Sequence, residues 1–154
     1  MYKKILVPLD GSTLAECVLP HVQTIAMGCG VPDITLLRAF LPRVYISGYD
    51  YEFPAEEWKR MEEEGMATAK NYLLNLAKGM NWKGATVNTE VLYGPPADSI
   101  VEYATKNGVD LIVIATHGRS GVSRWVWGSV ADRILHSACV PVLMVRAPGC
   151  VPGV

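Results

Sequence analysis

Short apolar runs alternate along the chain with longer stretches in which apolar residues recur every three or four positions. Continuous apolar runs are typical of strands buried on both faces of a parallel sheet, and the longer period is typical of amphipathic helices. Strands are predicted within Lys3–Leu9, Val31–Phe40, Ala85–Tyr93, Leu111–Ala115 and Val140–Arg146. Because the intervening helices would supply right-handed crossovers, the pattern predicts an α/β fold with three layers, in which helices cover both faces of a doubly wound, five-stranded parallel sheet.

Four helical stretches separate these strands. The first runs from Thr13 to about Met27, and Thr13-x-x-Glu16 at its start has the spacing of a capping box. Pro20 lies inside this stretch and is expected to bend it, because proline has no backbone N–H. The other helices are predicted from Ala55 to Lys78, from Gly94-Pro95-Pro96 to about Lys106, and from Ser129 onwards. In the long second helix, a core-facing stripe is expected at Trp58, Met61, Gly65, Ala69, Tyr72, Leu76 and Met80.

A glycine-rich loop joins the Leu111–Ala115 strand to the helix that begins at Ser129. Glycine lets the backbone approach a ligand closely, and a helix start offers unpaired N–H groups with a partial positive charge. The arrangement therefore predicts an anion site. A Walker loop is excluded because the chain has no Gly-Lys pair, and G-x-G-x-x-G is also absent.

Asp10 is a second candidate site residue, because it lies where the first strand ends. Ligands of open α/β sheets bind at the carboxyl ends of the strands, near the point where strand order reverses. The pair Arg38-Ala39 ends the second strand and is expected beside Asp10 if the two strands are neighbours. A different role is open to Asp10, and spacing alone favours it: a turn residue whose side chain bonds to its own backbone.

The loop has a spacing that resembles the universal stress protein family. The nucleotide-binding branch of that family carries G-x2-G-x9-G-[S/T], and this chain reads Ala115-x2-Gly118-x9-Gly128-Ser129, with alanine in place of the first glycine. The family also typically carries Pro-x-Asp-x-Ser at the end of its first strand, which Pro8-Leu9-Asp10-Gly11-Ser12 matches. The resemblance covers the chain from Lys3 to Arg146, and it favours a ligand contact for Asp10.

This resemblance implies strand order 3-2-1-4-5 and a stress-response regulatory protein that binds ATP, with Mg²⁺ or Mn²⁺ as a possible companion. Asp10 would lie beside the adenosine, the backbone near Ala39 beside the adenine, and the loop with the Ser129 hydroxyl around the phosphates. The implied binding residues are Pro8, Leu9, Asp10, Ala39, Ala115, His117, Gly118, Arg119, Gly128, Ser129 and Val130. No catalytic residue is identified, so ATP hydrolysis is expected to be slow at most.

The alternative function is that of a nucleotide-free homodimeric interaction protein, which is the other branch of the family. Ala115 favours this alternative, and the intact spacing from Gly118 to Ser129 favours ATP binding. In either case the resemblance implies a homodimer through the edge strand Val142–Val145. Trp125 and Trp127 could form a surface for an unidentified protein partner, or could simply pack on the long helix or the second copy.

Composition limits the other functions. At 154 residues, half of them apolar, the chain fits one domain, predicted over residues 1–146 with a flexible tail over 147–154. The formal net charge of −1 disfavours nucleic acid and anionic membranes as partners. The four cysteines have no zinc-site spacing and are interpreted as inert thiols, so no metal ligands are predicted. No signal peptide or membrane-spanning run is visible, which predicts a cytoplasmic protein.

Overall fold

Ten helices and strands make up the part of the chain that the computed structural model describes, which is residues 2–41, 54–82, 84–116 and 129–147. Their order alternates between strand and helix as the apolar pattern predicts. They are β1 (Lys4–Pro8), a 3-10 helix (Ala15–Val18), α1 (Leu19–Cys29), β2 (Asp33–Phe40), α2 (Ala55–Gly79), β3 (Thr86–Tyr93), α3 (Pro96–Lys106), β4 (Leu111–Ala115), α4 (Ser129–Ser137) and β5 (Val142–Val145).

The five strands form one sheet in the order β3-β2-β1-β4-β5, with every neighbouring pair parallel. The central strand is therefore β1, and both β3 and β5 are edges of this sheet. This confirms the predicted fold class and strand order. Exposed residues alternate with half-buried ones along most of β3, which agrees with its predicted place at an edge with one wetter face.

Two hydrophobic cores lie on opposite faces of the sheet. Successive strand residues point to opposite faces, so Ile5 and Val7 of β1 pack under the 3-10 helix, α1 and α2, whereas Leu6 between them packs under α3 and α4. β4 divides in the same way, with Val113 on the first face and Ile112 on the second. All five side chains are fully buried, which is why these strands appear in the sequence as continuous apolar runs.

The start of the first helical region differs from the prediction. A short 3-10 helix comes first, and the α-helix begins only at Leu19, which places Pro20 in its first turn. Proline is well tolerated there because the first N–H groups of a helix have no partner within it, so the expected bend is wrong. The predicted capping box at Thr13 is also wrong, since the residue before the 3-10 helix is Leu14, and no side chain caps it. The Ser12 hydroxyl accepts the N–H of Ala15 at 3.2 Å.

Helix α2 has the predicted bounds to within one residue, but its predicted stripe is only partly buried. Ala69 and Leu73 are the buried residues of this helix, whereas Met61 is 39% exposed. The helix has 25 residues and β3 has eight, which correspond to lengths of about 37 Å and about 26 Å. Since the helix is longer than the strand it covers, its first half has less of the sheet to pack against.

Candidate functional site

The carboxyl ends of β1 and β4 lie side by side where the direction of the chain connections reverses. From β1 the chain moves outward through β2 and β3, and it then returns to the other side of β1 as β4 and β5. Pairing between β1 and β4 joins Ile5 to Leu111 and Leu6 to Ile112, although β4 itself continues to Ala115. The two strands are therefore paired at their amino-terminal halves, and their carboxyl ends lie at the switch point, outside which this kind of sheet usually binds its ligand in a crevice.

Pro8 explains why the pairing stops. On one side of β1 the N–H of Leu9 is donated to the carbonyl of Leu37 on β2, at 2.8 Å, and on the other side the carbonyl of Lys4 accepts the N–H of Asp110, at 3.1 Å. Because backbone groups of successive strand residues point to opposite sides, residue 8 would have to donate toward β4. Proline has no N–H to donate, so the hydrogen-bonded ladder between β1 and β4 ends there.

Asp10 lies at the switch point of the sheet, directly after β1. One of its carboxylate oxygens, Oδ1, accepts the backbone N–H of Ser12 at 2.9 Å and the Ser12 hydroxyl at 2.5 Å. Gly11 between them has φ of 84°, a left-handed conformation that glycine adopts without strain. The interpretation of Asp10 as a turn residue is therefore confirmed, and the same bonds fix the direction of its carboxylate at the end of the sheet.

A charged cluster supports this turn from the α1 and α2 face of the sheet. The guanidinium of Arg38 lies directly over Gly11, since a Cβ at Gly11 would be 2.9 Å from Nη1 and 3.0 Å from Cζ. The Arg38 Cζ is also 5.6 Å from the centre of the Tyr72 ring, a cation–π distance. The Tyr72 hydroxyl in turn donates to Glu16 Oε1 at 3.0 Å.

Burial raises the pKa of the Tyr72 phenol, and the hydrogen bond to Glu16 and the negative charges of Glu16 and Asp10 raise it further. Arg38 acts in the opposite direction. The sequence placed Arg38 beside Asp10 correctly, as the end of a neighbouring strand. It gave no signal for Tyr72, because a tyrosine at helical spacing was interpreted only as part of the core stripe.

Ala39 and Ala115 lie on opposite faces of the sheet. Ala39 packs against the core under α3 and α4. Ala115 is 8% exposed and belongs to the other core, together with Ala15 and Val18 of the 3-10 helix. It is the last residue of β4 and pairs with Val145, so its backbone is extended, which alanine adopts without strain. The methyl group that replaces the family glycine thus packs into the protein core.

The phosphate end of the predicted site is described only at the start of α4. Ser129 is the first residue of that helix and is exposed, and Val130 after it is half-buried. The first N–H groups of a helix have no partner within it, as an anion site requires. His117, Gly118, Arg119 and Gly128 lie outside the described residues, as do Trp125, Trp127 and residues 148–154 of the predicted tail, so the roles given to them stay predictions.

No group of three or more His, Cys, Asp or Glu side chains is placed to hold a metal ion within residues 2–41, 54–82, 84–116 and 129–147. Cys17, Cys29 and Cys139 are free thiols. Burial raises the pKa of the Cys17 thiol, which lowers its reactivity at neutral pH because the thiolate is the reactive form.

Over the same parts of the chain, no helix combines the length and the apolar character needed to cross a membrane.

A comparison with known proteins identifies the family. The model of the Universal stress protein family matches residues 1–146. The chain belongs to the universal stress protein family. One curated relative, Universal stress protein MJ0531 of Methanocaldococcus jannaschii, is 35% identical over 149 residues, which cover 96% of this chain and 84% of the relative.

Solved structures of universal stress proteins share the fold. The structure of MJ0577, from the same archaeon, is 30% identical and has a TM-score of 0.83 over 97% of this chain and 99% of that chain. The universal stress protein of Archaeoglobus fulgidus in complex with dAMP is 24% identical and has a TM-score of 0.57, over 93% and 97% of the two chains. At that identity the second likeness shows the fold alone.

Proposed function

We propose that this universal stress protein binds an adenine nucleotide, ATP with Mg²⁺ or Mn²⁺, in the crevice between β1 and β4 and acts in the cytoplasm as a stress-response regulator. The observation that carries the proposal is the position of Asp10. Its carboxylate is held by Ser12 directly after β1, at the switch point of the sheet, where open α/β sheets bind their ligands. The dAMP bound by the Archaeoglobus fulgidus protein supports an adenine nucleotide as the ligand class.

The adenosine end of the ligand would contact the ends of β1 and β2. A carboxylate is an acceptor only, so Asp10 would accept hydrogen bonds from ribose hydroxyl or adenine amino groups. Pro8 and Leu9, both buried, would form the wall of the crevice, and the backbone near Ala39 would lie beside the adenine. Ala115 does not conflict with this pose, since its methyl group lies in the core with Val18.

The phosphate end would be held by backbone N–H groups and a helix start. Gly118, Gly128, Ser129 and Val130 would supply the N–H groups, and the Ser129 hydroxyl would add one further donor. Arg119 would add a charge-assisted contact. Ser129 and Val130 fit this role, because they begin α4 and one of them is exposed. His117 is assigned a positional role and no proton transfer.

The metal ion would be coordinated chiefly by the phosphate oxygens of the nucleotide. Mg²⁺ keeps several water ligands and commonly takes the rest of its shell from substrate phosphates and one or two carboxylates. The bound metal would offset phosphate charge and help to orient the phosphate chain.

The proposed role of the nucleotide is that of a structural or switch ligand. A ligand that binds only the folded state stabilises it in proportion to the logarithm of its concentration. Asp10 Oδ1 is engaged by two donors from Ser12, which suits a binding group more than a general base. Hydrolysis, if the protein performs it, is expected to be slow.

A second candidate function is that of a nucleotide-free homodimeric interaction protein. The observation that favours it is alanine at position 115, where the family's nucleotide-binding branch has glycine. Leu143 on the edge strand β5 is 38% exposed and would supply the dimer surface that this function requires. An apolar edge strand favours pairing with a second copy. The homodimer through Val142–Val145 is part of both candidate functions, whereas the protein partner and the triggering stress are open in both.

Calorimetric titration with ATP and Mg²⁺ tests the proposal, after mass spectrometry of the denatured protein for nucleotide retained during purification. We expect saturable binding of one nucleotide per chain, weakened about tenfold or more by Asp10→Asn. Asp33→Asn is the matched control, because Asp33 begins β2 at the opposite end of the sheet, and it should leave binding unchanged. Absence of both retained nucleotide and measurable binding would overturn ATP binding and leave the interaction protein.

A further inference from the structure

Arg38 makes two contacts that bear on the turn containing Asp10. Its guanidinium lies against the backbone of Gly11, with three of its atoms 2.9 to 3.1 Å from where a Cβ would stand. The Cζ of the same guanidinium lies over the Tyr72 ring, 5.6 Å from its centre. The guanidinium thus connects α2 to the residue that follows Asp10. These contacts join three segments that are distant in sequence.

Gly11 and Arg38 fit each other in this chain. Gly11 fills a variable position of the Pro-x-Asp-x-Ser motif, and a side chain there would occupy the space of the guanidinium. The planar form of arginine matters, because it can stack on an aromatic face and a peptide at once, whereas the ammonium of lysine is a compact, strongly hydrated charge. The contact between the Arg38 guanidinium and Gly11 therefore holds this turn in place.

Tyr72, on which the Arg38 guanidinium stacks, is held in place by a hydrogen bond of its own. The Tyr72 hydroxyl donates to Glu16 Oε1 at 3.0 Å, and Glu16 belongs to the 3-10 helix whose first residue, Ala15, donates its N–H to the Ser12 hydroxyl. Ser12 is also the residue that donates twice to Asp10 Oδ1. A closed ring of contacts consequently runs from Asp10 through the turn to Arg38, Tyr72 and the 3-10 helix, and back to Ser12.

We propose that Arg38 is a positioning residue for Asp10: stacked on Tyr72 and laid over Gly11, its guanidinium holds the turn after β1 so that the Asp10 carboxylate faces the bound nucleotide. This inference rests on the proposed function, since it concerns how the same site is shaped. Arg38 acts on the ligand through Asp10, so the effects of changing the two residues must depend on each other.

A double-mutant cycle on ATP binding tests this dependence. Arg38→Met is expected to weaken binding about tenfold, and Asp10→Asn to weaken it about tenfold in the native background but less than about twofold in the Arg38→Met background. Equal losses in the two backgrounds would show a role independent of Asp10 and overturn the inference. Arg60→Met is the matched control, because Arg60 is an exposed arginine of α2 whose side chain pairs with Glu64, and it should leave binding unchanged.

A second measurement needs no nucleotide. In the NMR spectrum of the nucleotide-free protein, Arg38→Met should shift the Ser12 amide and the Asp10 carboxyl carbon resonances, and Arg60→Met should shift neither. Unchanged resonances in Arg38→Met would overturn the inference even where ATP binds. Failure of the native protein to bind ATP, with these shifts present, would instead overturn the proposed function and leave the geometry of the turn established.

Folding is controlled for within the same set of variants. Arg38→Lys keeps the charge and loses the planar group, so it is expected to weaken binding nearly as much as Arg38→Met while melting at the native temperature. Full native affinity in Arg38→Lys would show that charge alone is sufficient and would overturn the proposed role of stacking on Tyr72 and Gly11. Thermal melts of all variants identify any loss of affinity that follows from unfolding.

Discussion

Ser12 donates both its backbone N–H and its hydroxyl to one carboxylate oxygen of Asp10, at 2.9 and 2.5 Å. The Ser12 oxygen also accepts the N–H of Ala15 at 3.2 Å, at the start of the 3-10 helix. One serine therefore fixes the direction of the carboxylate and begins the first helical segment. The same small group links the fold of the β1 turn to the proposed binding site.

Ser12→Ala is predicted to lower the free energy of unfolding by about 1 kcal/mol, because it removes the hydroxyl that bonds to Asp10 and accepts the N–H of Ala15. Thr13→Ala is the control, since Thr13 is exposed, so its effect should stay within about 0.5 kcal/mol. Urea unfolding of both variants measures the difference. A larger loss in Thr13→Ala than in Ser12→Ala would contradict the role given to the Ser12 hydroxyl.

Gly65 in α2 is packed against the ring of Phe40. A Cβ at this position would lie 2.8 Å from Cε2 and 3.0 Å from Cζ of that ring, and the ring makes an edge contact with Tyr93 at 5.9 Å between centroids. Gly65→Ala is therefore predicted to destabilise the fold by about 1 to 3 kcal/mol, as overpacking does, although alanine is intrinsically the better helix former.

Gly28→Ala provides the matched control for Gly65→Ala. Gly28 is also helical, and apart from its own helix backbone no atom of the described residues lies within 4 Å of where its Cβ would be. This substitution is predicted to stabilise the protein by about 0.5 to 1 kcal/mol through helix propensity and reduced freedom of the unfolded chain. Thermal and urea unfolding of the pair should show opposite signs, and equal effects would contradict the proposed contact with Phe40.

Strands β1 and β4 could be predicted from the sequence because their buried residues are continuous. Leu111–Ala115 is buried at every position, so the apolar run and the strand coincide. The switch point followed from topology, which brings the end of β1 beside the end of β4. The first helical region was harder, since both Ser12 and Thr13 are good caps and Glu16 favoured Thr13; the ring of Pro20 decides where the α-helix begins.

Contacts between distant residues could not be predicted in the same way. Arg38 lies in β2, Gly11 follows β1, and Tyr72 lies in α2. Residue spacing along the chain therefore does not predict that these three side chains and backbone groups are in contact. Tyr72 has helical spacing with core residues, which gives no sign that its hydroxyl reaches Glu16. Likewise, the backbone conformation of Ala115 could not be predicted from the sequence. As the last residue of β4, Ala115 is extended and therefore unstrained.

Tyr72 is predicted to make stability depend on alkaline pH. Burial and the bond to Glu16 raise its pKa in the folded protein above the unfolded value of about 10. Its contribution is therefore complete below pH ~10 and falls as pH rises toward the folded pKa, because only the unfolded chain releases the proton in that interval. Urea unfolding between pH 7 and 10.5 should show a steeper loss for the native protein than for Tyr72→Phe, and parallel curves would contradict the raised pKa.

Leu143 provides the test of the proposed homodimer. It is 38% exposed on the edge strand β5, where a second copy would cover it and a lysine would place charges in the interface. Leu143→Lys is predicted to convert a dimer into a monomer in sedimentation equilibrium without changing the melting curve of the monomer. Met27→Lys is the control, since Met27 is 49% exposed on α1 and should leave the dimer intact. A native protein that sediments as a monomer at high concentration would rule out pairing through this edge, whichever of the two proposed functions holds.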